Sequence, residues 1–141
     1  MEFQGINLSA RTLKRLHAWT EREAFSHAYI FAGPPEADKM GAARAFLKTA
    51  YCLAEDARPC GHCIMCTKIE HGNHEDLLYV QREGSSIGVK QIEDLQQRLR
   101  NKPYASERIS AVIEDADKMT PQSQNKLLKT LEEPNPGNIL I

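Results

Sequence analysis

The chain has 141 residues, which is long enough for one domain with a hydrophobic core. Hydrophobic residues make up 41% of the sequence and charged residues 26%, a composition typical of soluble globular proteins. The net charge of −1 gives no broad basic surface, so composition alone does not predict nucleic-acid binding. Because no apolar run approaches the ~18 residues of a membrane span and no secretory leader is evident, we expect a cytoplasmic protein.

Helices alternate with short apolar strands along the chain. The predicted helices cover 8–23, 39–53, 89–102 and 120–133, and the predicted strands cover 28–32, 76–81, 108–115 and 138–141. Ser9 and Thr120 are suitable N-caps, and Pro121 fits the first turn of its helix. Strands that alternate with helices in this way predict an α/β fold, with a parallel sheet flanked by helices. The last strand has only begun at Ile141, so we expect 1–141 to be the N-terminal module of a longer chain.

The segment GPPEADKM, residues 33–40, resembles a phosphate-binding loop with two changes. The usual pattern is G-x-x-x-x-G-K-[S/T], in which backbone amides and the lysine hold phosphate and the hydroxyl holds magnesium. Gly33 and Lys39 have the correct spacing. Asp38 replaces the second glycine, and Met40 replaces the hydroxyl residue.

Two interpretations of this loop are possible. In a working nucleotide site, Lys39 and the loop amides would still contact phosphate. In a degenerate site, the Asp38 carboxylate caps the following helix and competes with phosphate for the same donors, while Met40 offers magnesium no oxygen ligand. The repulsion between like charges favours the degenerate site.

Two acids, Glu114 and Asp115, end the third predicted strand. Many nucleotide hydrolases have Asp and then Glu at this place, for magnesium and water respectively. The order is reversed here, and solvated acids at a strand end are a simpler explanation. We therefore expect a degenerate nucleotide site and no catalytic residue.

The four cysteines of the chain lie within fifteen positions, as Cys52, Cys60, Cys63 and Cys66. A disulfide framework and a redox C-x-x-C pair are alternatives, but a cytosolic α/β domain of this size needs no disulfides. Four thiolates in a short insertion are typical of tetrahedral structural zinc. We expect a zinc-binding insert at 52–66, and we expect His62, His71 and His74 to be surface residues rather than ligands.

The motifs HAYIFAGP, CGHCIMC before DLLYV, VIEDADKMT and NKLLKTLEEP resemble those of the bacterial clamp-loader subunits of DNA polymerase III. These subunits are AAA+ proteins, and the resemblance extends over nearly the whole chain. It implies an AAA+ P-loop-type parallel sheet with a small zinc-binding insertion at Cys52, Cys60, Cys63 and Cys66. It also implies partners: the other clamp-loader subunits (gamma/tau and delta), and through the complex the sliding clamp and primer-template DNA.

Within this family, the gamma/tau motor keeps an intact loop and an Asp-Glu strand end, whereas the delta-prime type can lose both. Asp38, Met40 and the Glu114–Asp115 pair make this chain similar to the delta-prime type, a stator that does not hydrolyse ATP. Its arginine finger, in a Ser-Arg-Cys motif, does not occur before Ile141. The resemblance thus implies a role in loading the sliding clamp during replication, with structural zinc and without bound ATP.

Two other functions remain open from the sequence. One is a gamma/tau-type ATP-hydrolysing motor with an atypical loop, which would bind ATP in a magnesium-dependent way. The other is a zinc-dependent nucleic-acid binder, which would need a basic surface that the near-neutral charge does not favour. The leucines of LLKTLEEP, Leu127, Leu128 and Leu131, are spaced as core residues.

Overall fold

The computed structural model describes Phe3, residues 5–21 and residues 24–141. Five α-helices and one short 3-10 helix (Ala116–Lys118) occur in this part; the α-helices are α1 (Ala10–Glu21), α2 (Lys39–Tyr51), α3 (Ile64–Glu70), α4 (Val89–Arg100) and α5 (Pro121–Glu132). Three strands occur with them: β1 (Leu77–Val80), β2 (Ser110–Ile113) and β3 (Ile139–Leu140). None of these described helices is long and apolar enough to cross a membrane. The chain divides into two compact units, one made of the described residues up to Phe25 with Ile30–His74, and one made of Ser26–Tyr29 with Glu75–Ile141.

The second unit contains a parallel sheet in the order β1-β2-β3. Leu77 is paired with Ser110, and Ser110 is paired with Ile139. All four residues of the central strand β2 are buried, as expected for a parallel strand covered on both faces. The predicted α/β class with a parallel sheet and flanking helices is confirmed.

The core of this unit forms because α4 presents one apolar stripe. Ile92, Leu95 and Leu99 recur at helical spacing and are at most 5% exposed. They pack with residues of the sheet, including Ala111 and Ile113, in one continuous hydrophobic cluster. The face predicted for this helix is therefore confirmed.

Helix α5 begins as predicted and buries fewer leucines than predicted. The Thr120 hydroxyl accepts a hydrogen bond from the Ser123 amide, and Pro121 occupies the first turn. Leu127 is buried and Leu131 packs partly against the core. The prediction for Leu128 was wrong, because this side chain lies on the outer face of the helix and is 49% exposed.

A fully buried carboxylate, Asp76, anchors the loop that precedes β2. Its two oxygens accept hydrogen bonds from the amides of Tyr104, Ala105 and Ser106 at 2.6–2.9 Å, and from the Ser106 hydroxyl at 2.8 Å. Burial raises the pKa of this carboxyl, but these hydrogen bonds outweigh burial and hold the pKa below its usual value. Asp76 therefore remains charged inside the protein and fixes the loop.

The first unit is organised around α2 and the ring of Phe46. Phe46 is fully buried, and the rings of Trp19, Phe25 and Phe31 meet it edge to face at centroid distances of 5.5–6.3 Å. Helix α1 begins at the predicted cap, where Ser9 accepts a hydrogen bond from the Thr12 amide. Part of the predicted helix lies outside the described residues, at positions 22 and 23.

The strand predicted at 28–32 is wrong in extent. Only Ala28 forms a parallel bridge, with Leu140, and the amide of Tyr29 donates to the Leu140 carbonyl at 2.8 Å. Beyond this point, Ile30 is 90% exposed and the backbone is irregular. A short apolar run becomes a strand only where a neighbouring strand takes its hydrogen bonds, and β3 spans just two residues.

Candidate functional site

The loop at 33–40 is closed on itself by backbone and side-chain hydrogen bonds. The amide of Ala37 donates to the carbonyl of Pro34 at 3.0 Å. The Asn7 side chain donates to the Glu36 carbonyl at 2.9 Å, which ties the loop to the segment before α1. These hydrogen bonds give the loop a defined conformation.

Asp38 caps α2, as predicted. Its Oδ1 accepts a hydrogen bond from the Gly41 amide at 2.8 Å, and its carbonyl accepts from the Ala42 amide. Gly41 is needed for this geometry, since a Cβ atom there would lie 2.2 Å from Asp38 Oδ2. One amide of the first helical turn, that of Gly41, thus meets a carboxylate that belongs to the protein.

Lys39 is also engaged within the loop. Its Nζ donates to the carbonyl of Pro34 at 3.0 Å and lies 3.4 Å from the carbonyl of Gly33. Met40, the next residue, is half-buried and carries a thioether instead of a hydroxyl. The ammonium group that would contact phosphate in an intact loop is therefore directed at the loop's own carbonyls.

A cavity of about 460 Å³ lies beside this loop within the first unit, and sequence reasoning did not predict it. Apolar side chains of Leu8, Leu16, Trp19 and Phe31 line it together with the Lys39 side chain. The cavity has the size and mixed lining of a small-molecule site. Its lining combines the start of the chain with residues 30–42, and the sequence does not show that these two segments pack together.

The acids Glu114 and Asp115 directly follow β2, at the carboxyl end of the strand, as predicted. Glu114 Oε2 accepts a hydrogen bond from Gln81 Nε2 at 2.8 Å. Asp115 adopts the left-handed conformation (φ 51°), and its carboxylate lies 4.0 Å from Arg82 Nε. Gln81 and Arg82, which follow β1, were missed because nothing in the local sequence marks them as partners of these acids.

The loop and the two acids belong to different compact units, the loop to the first and Glu114 and Asp115 to the second. Asp38 and Lys39 have partners in the first unit, and Glu114 and Asp115 have partners in the second.

The four cysteine sulfurs form one cluster in the first unit. The Sγ atoms of Cys52, Cys60, Cys63 and Cys66 all lie within 4.8 Å of one another. All four residues are in the described part of the chain, and none forms a disulfide. Cys52 ends α2, Cys63 caps α3, and Cys66 lies within α3. The structure thus brings together every cysteine that the spacing predicted, and it adds a helix, α3, that the sequence analysis did not predict.

Backbone amides point at these sulfurs. The Cys60 amide donates to Cys52 Sγ at 3.2 Å, the Cys63 amide to Cys60 Sγ at 3.3 Å, and the Cys66 amide to Cys63 Sγ at 3.5 Å. Amides directed at sulfur stabilise thiolates, the form that binds metal ions. The cluster is therefore built for negatively charged sulfur.

The surroundings of the sulfurs shift their pKa values in different directions. Burial raises the pKa of the Cys66 thiol to about 12. Burial also acts to raise the pKa of Cys63, but hydrogen bonds from the amides of Leu53 and Cys66 outweigh it and lower the value to about 6. The pKa of Cys60 is lowered by the amides of His62 and Cys63.

The donor set fits a metal ion. A tetrahedral zinc site with Zn–S bonds of about 2.3 Å has sulfur–sulfur edges of about 3.8 Å. The observed sulfurs all lie within 4.8 Å of one another, close to that arrangement. The four cysteines could therefore hold one metal ion without rearrangement of the helices.

Two of the three nearby histidines lie on the surface, as predicted. His62 and His71 are exposed. The prediction was wrong for His74, which is 5% exposed because its ring packs edge to face on Tyr51 at 4.9 Å and its Nε2 lies 3.1 Å from Met65 Sδ. Its role is in packing the segment that follows α3.

Comparison with known proteins agrees with these features. The sequence model of the family described as DNA polymerase III, delta subunit matches residues 8–141. The chain is 40% identical over 134 residues to DNA polymerase III subunit delta' of Bacillus subtilis, covering 95% of this chain and 41% of that protein. It is 34% identical to DNA polymerase III subunit tau of the same organism, covering 99% of this chain and 25% of that protein.

The fold is also found in a solved structure. A DNA polymerase III gamma subunit-related protein from Thermotoga maritima matches with a TM-score of 0.65 at 20% identity, covering 89% of this chain and 37% of that one. The chain therefore spans less than half the length of these relatives. The resemblance drawn from the sequence motifs is confirmed, and the chain belongs to the DNA polymerase III delta subunit family.

Proposed function

We propose that this chain is the N-terminal module of a delta-prime-type subunit of the DNA polymerase III clamp loader, a stator that helps load the sliding clamp onto primed DNA without hydrolysing ATP. The observation that carries the proposal is the 2.8 Å hydrogen bond from the Gly41 amide to the Asp38 carboxylate. This contact places a fixed negative charge at the helix start where an intact loop would receive phosphate.

The other groups of the loop support the same conclusion. Lys39 Nζ donates to two loop carbonyls, so phosphate would have to displace these contacts as well as the carboxylate. Met40 supplies no oxygen for magnesium. Phosphoryl transfer depends on metal, phosphate and water being aligned together, so the loss of several of these contacts removes activity more completely than the loss of one.

The acids after β2 are engaged too. Glu114 accepts a hydrogen bond from Gln81, and the Asp115 carboxylate faces the guanidinium of Arg82. These partners partly satisfy carboxylates that a hydrolase would leave available for metal and water. We therefore keep the residues predicted from the sequence as two groups: Gly33, Asp38, Lys39 and Met40 as a degenerate phosphate loop in the first unit, and Glu114 and Asp115 as acids without a catalytic role in the second.

Calorimetric titration with Mg-ATP tests this proposal. We expect no binding by the wild-type protein and measurable, magnesium-dependent binding by the double variant Asp38→Gly/Met40→Thr. The control adds Lys39→Ala to the double variant and should abolish the restored binding. Micromolar magnesium-dependent binding by the wild type would contradict the proposal. No binding by the double variant would show that Asp38 and Met40 are not the groups that exclude nucleotide.

One observation favours the alternative of an ATP-hydrolysing gamma/tau-type motor. The cavity of about 460 Å³ beside the loop could receive a nucleoside, with Lys39 on its wall. Under this alternative the wild type binds ATP and Lys39→Ala removes binding. The same titration therefore separates the two functions.

We also propose that Cys52, Cys60, Cys63 and Cys66 hold one structural zinc ion. Zinc accepts four thiolates in tetrahedral geometry, and a site with four protein ligands leaves no position for catalysis. Elemental analysis of protein purified without chelator should find one zinc per chain. Another metal in its place would contradict the assignment.

The proposed partners are the other clamp-loader subunits, gamma/tau and delta, and through them the sliding clamp and primer-template DNA in the cytoplasm. This part rests on the similarity to subunits of DNA polymerase III. Co-purification of the full-length protein with purified gamma/tau and delta subunits tests it. Failure to associate at micromolar concentrations would contradict the stator function while leaving the zinc assignment intact.

A further inference from the structure

We infer that the cysteine cluster consists of a protected inner pair, Cys52 and Cys66, and a reactive outer pair, Cys60 and Cys63, which a peroxide converts to a disulfide with release of the bound metal. This inference rests on the proposed metal site. It adds a modification site that the clamp-loader function does not require.

The two pairs differ in burial and in the elements that hold them. Cys52 is 6% exposed and Cys66 is 1% exposed, whereas Cys60 and Cys63 are half-buried. Cys52 ends α2, and Cys66 lies within α3. The inner sulfurs are thus shielded by helices, and the outer sulfurs lie where a small oxidant can reach them.

The outer pair is also placed to close a disulfide. The Cys63 amide already donates to Cys60 Sγ at 3.3 Å, so the chain between them turns back on itself. Gly61 makes this turn possible with a positive φ of 78°, and Gly61 and His62 are both exposed. Drawing the sulfurs from within 4.8 Å to the bond length of about 2.05 Å therefore moves exposed residues rather than core residues.

The chemistry balances with the peroxide as the oxidant. One outer thiolate attacks a peroxide oxygen, the O–O bond breaks, and a sulfenic acid and hydroxide form. The second outer thiolate attacks the sulfenic sulfur, the S–O bond breaks, and a second hydroxide leaves. The two sulfurs lose two electrons, the peroxide gains them, and both hydroxides take up protons to become water.

The consequence for metal binding follows from charge. Disulfide sulfurs are neutral and no longer act as thiolate ligands, so only Cys52 and Cys66 remain. Two ligands hold zinc far more weakly than four. A dithiol reductant reverses the step and restores the site.

The experiment treats the metal-loaded wild-type protein with increasing hydrogen peroxide and measures released metal with a chromogenic chelator. Free cysteines are then alkylated with one label, the disulfide is reduced, and the newly freed cysteines receive a second label. All four cysteines lie between Lys48 and Lys68, and Arg58 precedes proline, so trypsin leaves them in one peptide and fragmentation assigns each label. We expect the second label on Cys60 and Cys63, one metal released per disulfide, and rebinding after dithiothreitol and added zinc.

Two variants compare disulfide formation by each cysteine pair alone, and this comparison does not require bound metal. Cys52→Ser/Cys66→Ser retains the outer pair and should still form the disulfide. Cys60→Ser/Cys63→Ser retains only Cys52 and Cys66, which are fourteen positions apart in the chain instead of three, and should form a disulfide at least tenfold more slowly. Three results would overturn the inference. They are the second label on Cys52 or Cys66 in the wild type, metal release without a disulfide, and equal rates of disulfide formation in the two variants. Wild-type protein that contains no metal as purified would instead contradict the proposed zinc site, and the labelling would still decide which pair reacts.

Discussion

Two regions are stabilised by different kinds of contact: the cysteine segment, which runs from Cys52 to His74, and the sheet unit, which is the second compact unit with its parallel sheet. From Cys52 to His74 the first unit buries few large apolar side chains, and its four sulfurs converge on one point. The sheet unit instead buries a continuous cluster that includes Ile87, Ile92 and Ala111, each fully buried. Under the proposed zinc assignment, the first region depends on a bound metal ion, whereas the second depends on its own apolar surface.

The two regions also differ in the groups that stabilise their charged side chains. In the sheet unit the buried carboxylate of Asp76 is satisfied by the protein's own amides and hydroxyl. In the cysteine segment, amides donate to the sulfurs of Cys52, Cys60 and Cys63, while burial raises the pKa of the fourth thiol, Cys66. Four adjacent thiolates repel one another unless a cation lies between them. The comparison predicts that the two regions respond to different perturbations.

The largest effect should come from removing an inner sulfur. Cys66→Ser should abolish tight metal binding and unfold residues 52–74 locally, because structural zinc contributes on the order of 10 kcal/mol to small sites of this kind. Hydrogen exchange should show lost protection in α3 and retained protection in β2. His62→Ala, which alters an exposed residue in the same segment, is the control and should bind metal normally. Loss of protection in β2 would show that the two regions are not stabilised separately.

The opposite perturbation is a cavity in the sheet unit. Ile92→Ala removes a fully buried side chain from α4 and should destabilise that unit by about 2–5 kcal/mol. Val89→Ala, in the same helix but 39% exposed, should have a much smaller effect. Hydrogen exchange of the β2 amides measures the loss, and metal content should stay unchanged. If Ile92→Ala lost its metal as Cys66→Ser is expected to, the two regions would not be stabilised separately.

Replacement of the buried carboxylate should have an intermediate effect. Asp76→Asn introduces an amide group opposite backbone donors, and should destabilise the loop before β2 by about 1.5–3 kcal/mol, the range for hydrogen bonds to charged groups. Asp94→Asn, at an exposed ion pair with Lys90, is the control and should change stability little.

The stability difference between the wild type and Asp76→Asn should depend on pH with a definite sign. The folded pKa of Asp76 is below its usual value, so its contribution is complete above the unfolded pKa of about 3.9 and is lost as pH falls through the lower folded value. The stability difference between wild type and Asp76→Asn should therefore be constant near neutral pH and shrink below about pH 4. A difference that grows on acidification would mean that the carboxyl is protonated in the folded protein.

The smallest effect should come from the loop cap. Asp38→Ala removes the acceptor for the Gly41 amide and should destabilise α2 by about 1 kcal/mol. Thr120→Ala removes the corresponding cap of α5 and should destabilise the sheet unit by a similar amount. Local hydrogen exchange in α2 and α5 compares the two. If Asp38→Ala instead stabilised α2, the carboxylate would be strained rather than a cap.

The features that the sequence predicted correctly depend on local signals. The caps at Asp38 and Thr120 and the apolar face of α4 involve residues within a few positions of one another. The four cysteines were found because their spacing is short and their chemistry is restricted. In these cases neighbouring residues determine the structure without help from distant ones.

The features that were missed or wrong depend on distant residues. Whether 28–32 forms a strand is decided by hydrogen bonds from β3, more than a hundred positions away. The anchoring role of Asp76 depends on amides 28–30 positions later in the chain. Leu128 has the spacing of a core residue, and only the packing of α5 shows that it faces outward. Helix α3 was missed because its seven residues are too few for a helical repeat of apolar positions to be recognised.

The contact between Asp38 and position 41 constrains the order in which substitutions can accumulate. Alanine favours a helix over glycine by about 1 kcal/mol, but a methyl group at Gly41 would displace the Asp38 carboxylate and forfeit the cap. The same Gly41→Ala change is therefore close to neutral beside aspartate and stabilising once residue 38 lacks a carboxylate. This is epistasis of the kind that makes a replacement tolerated in one lineage and unfavourable in another.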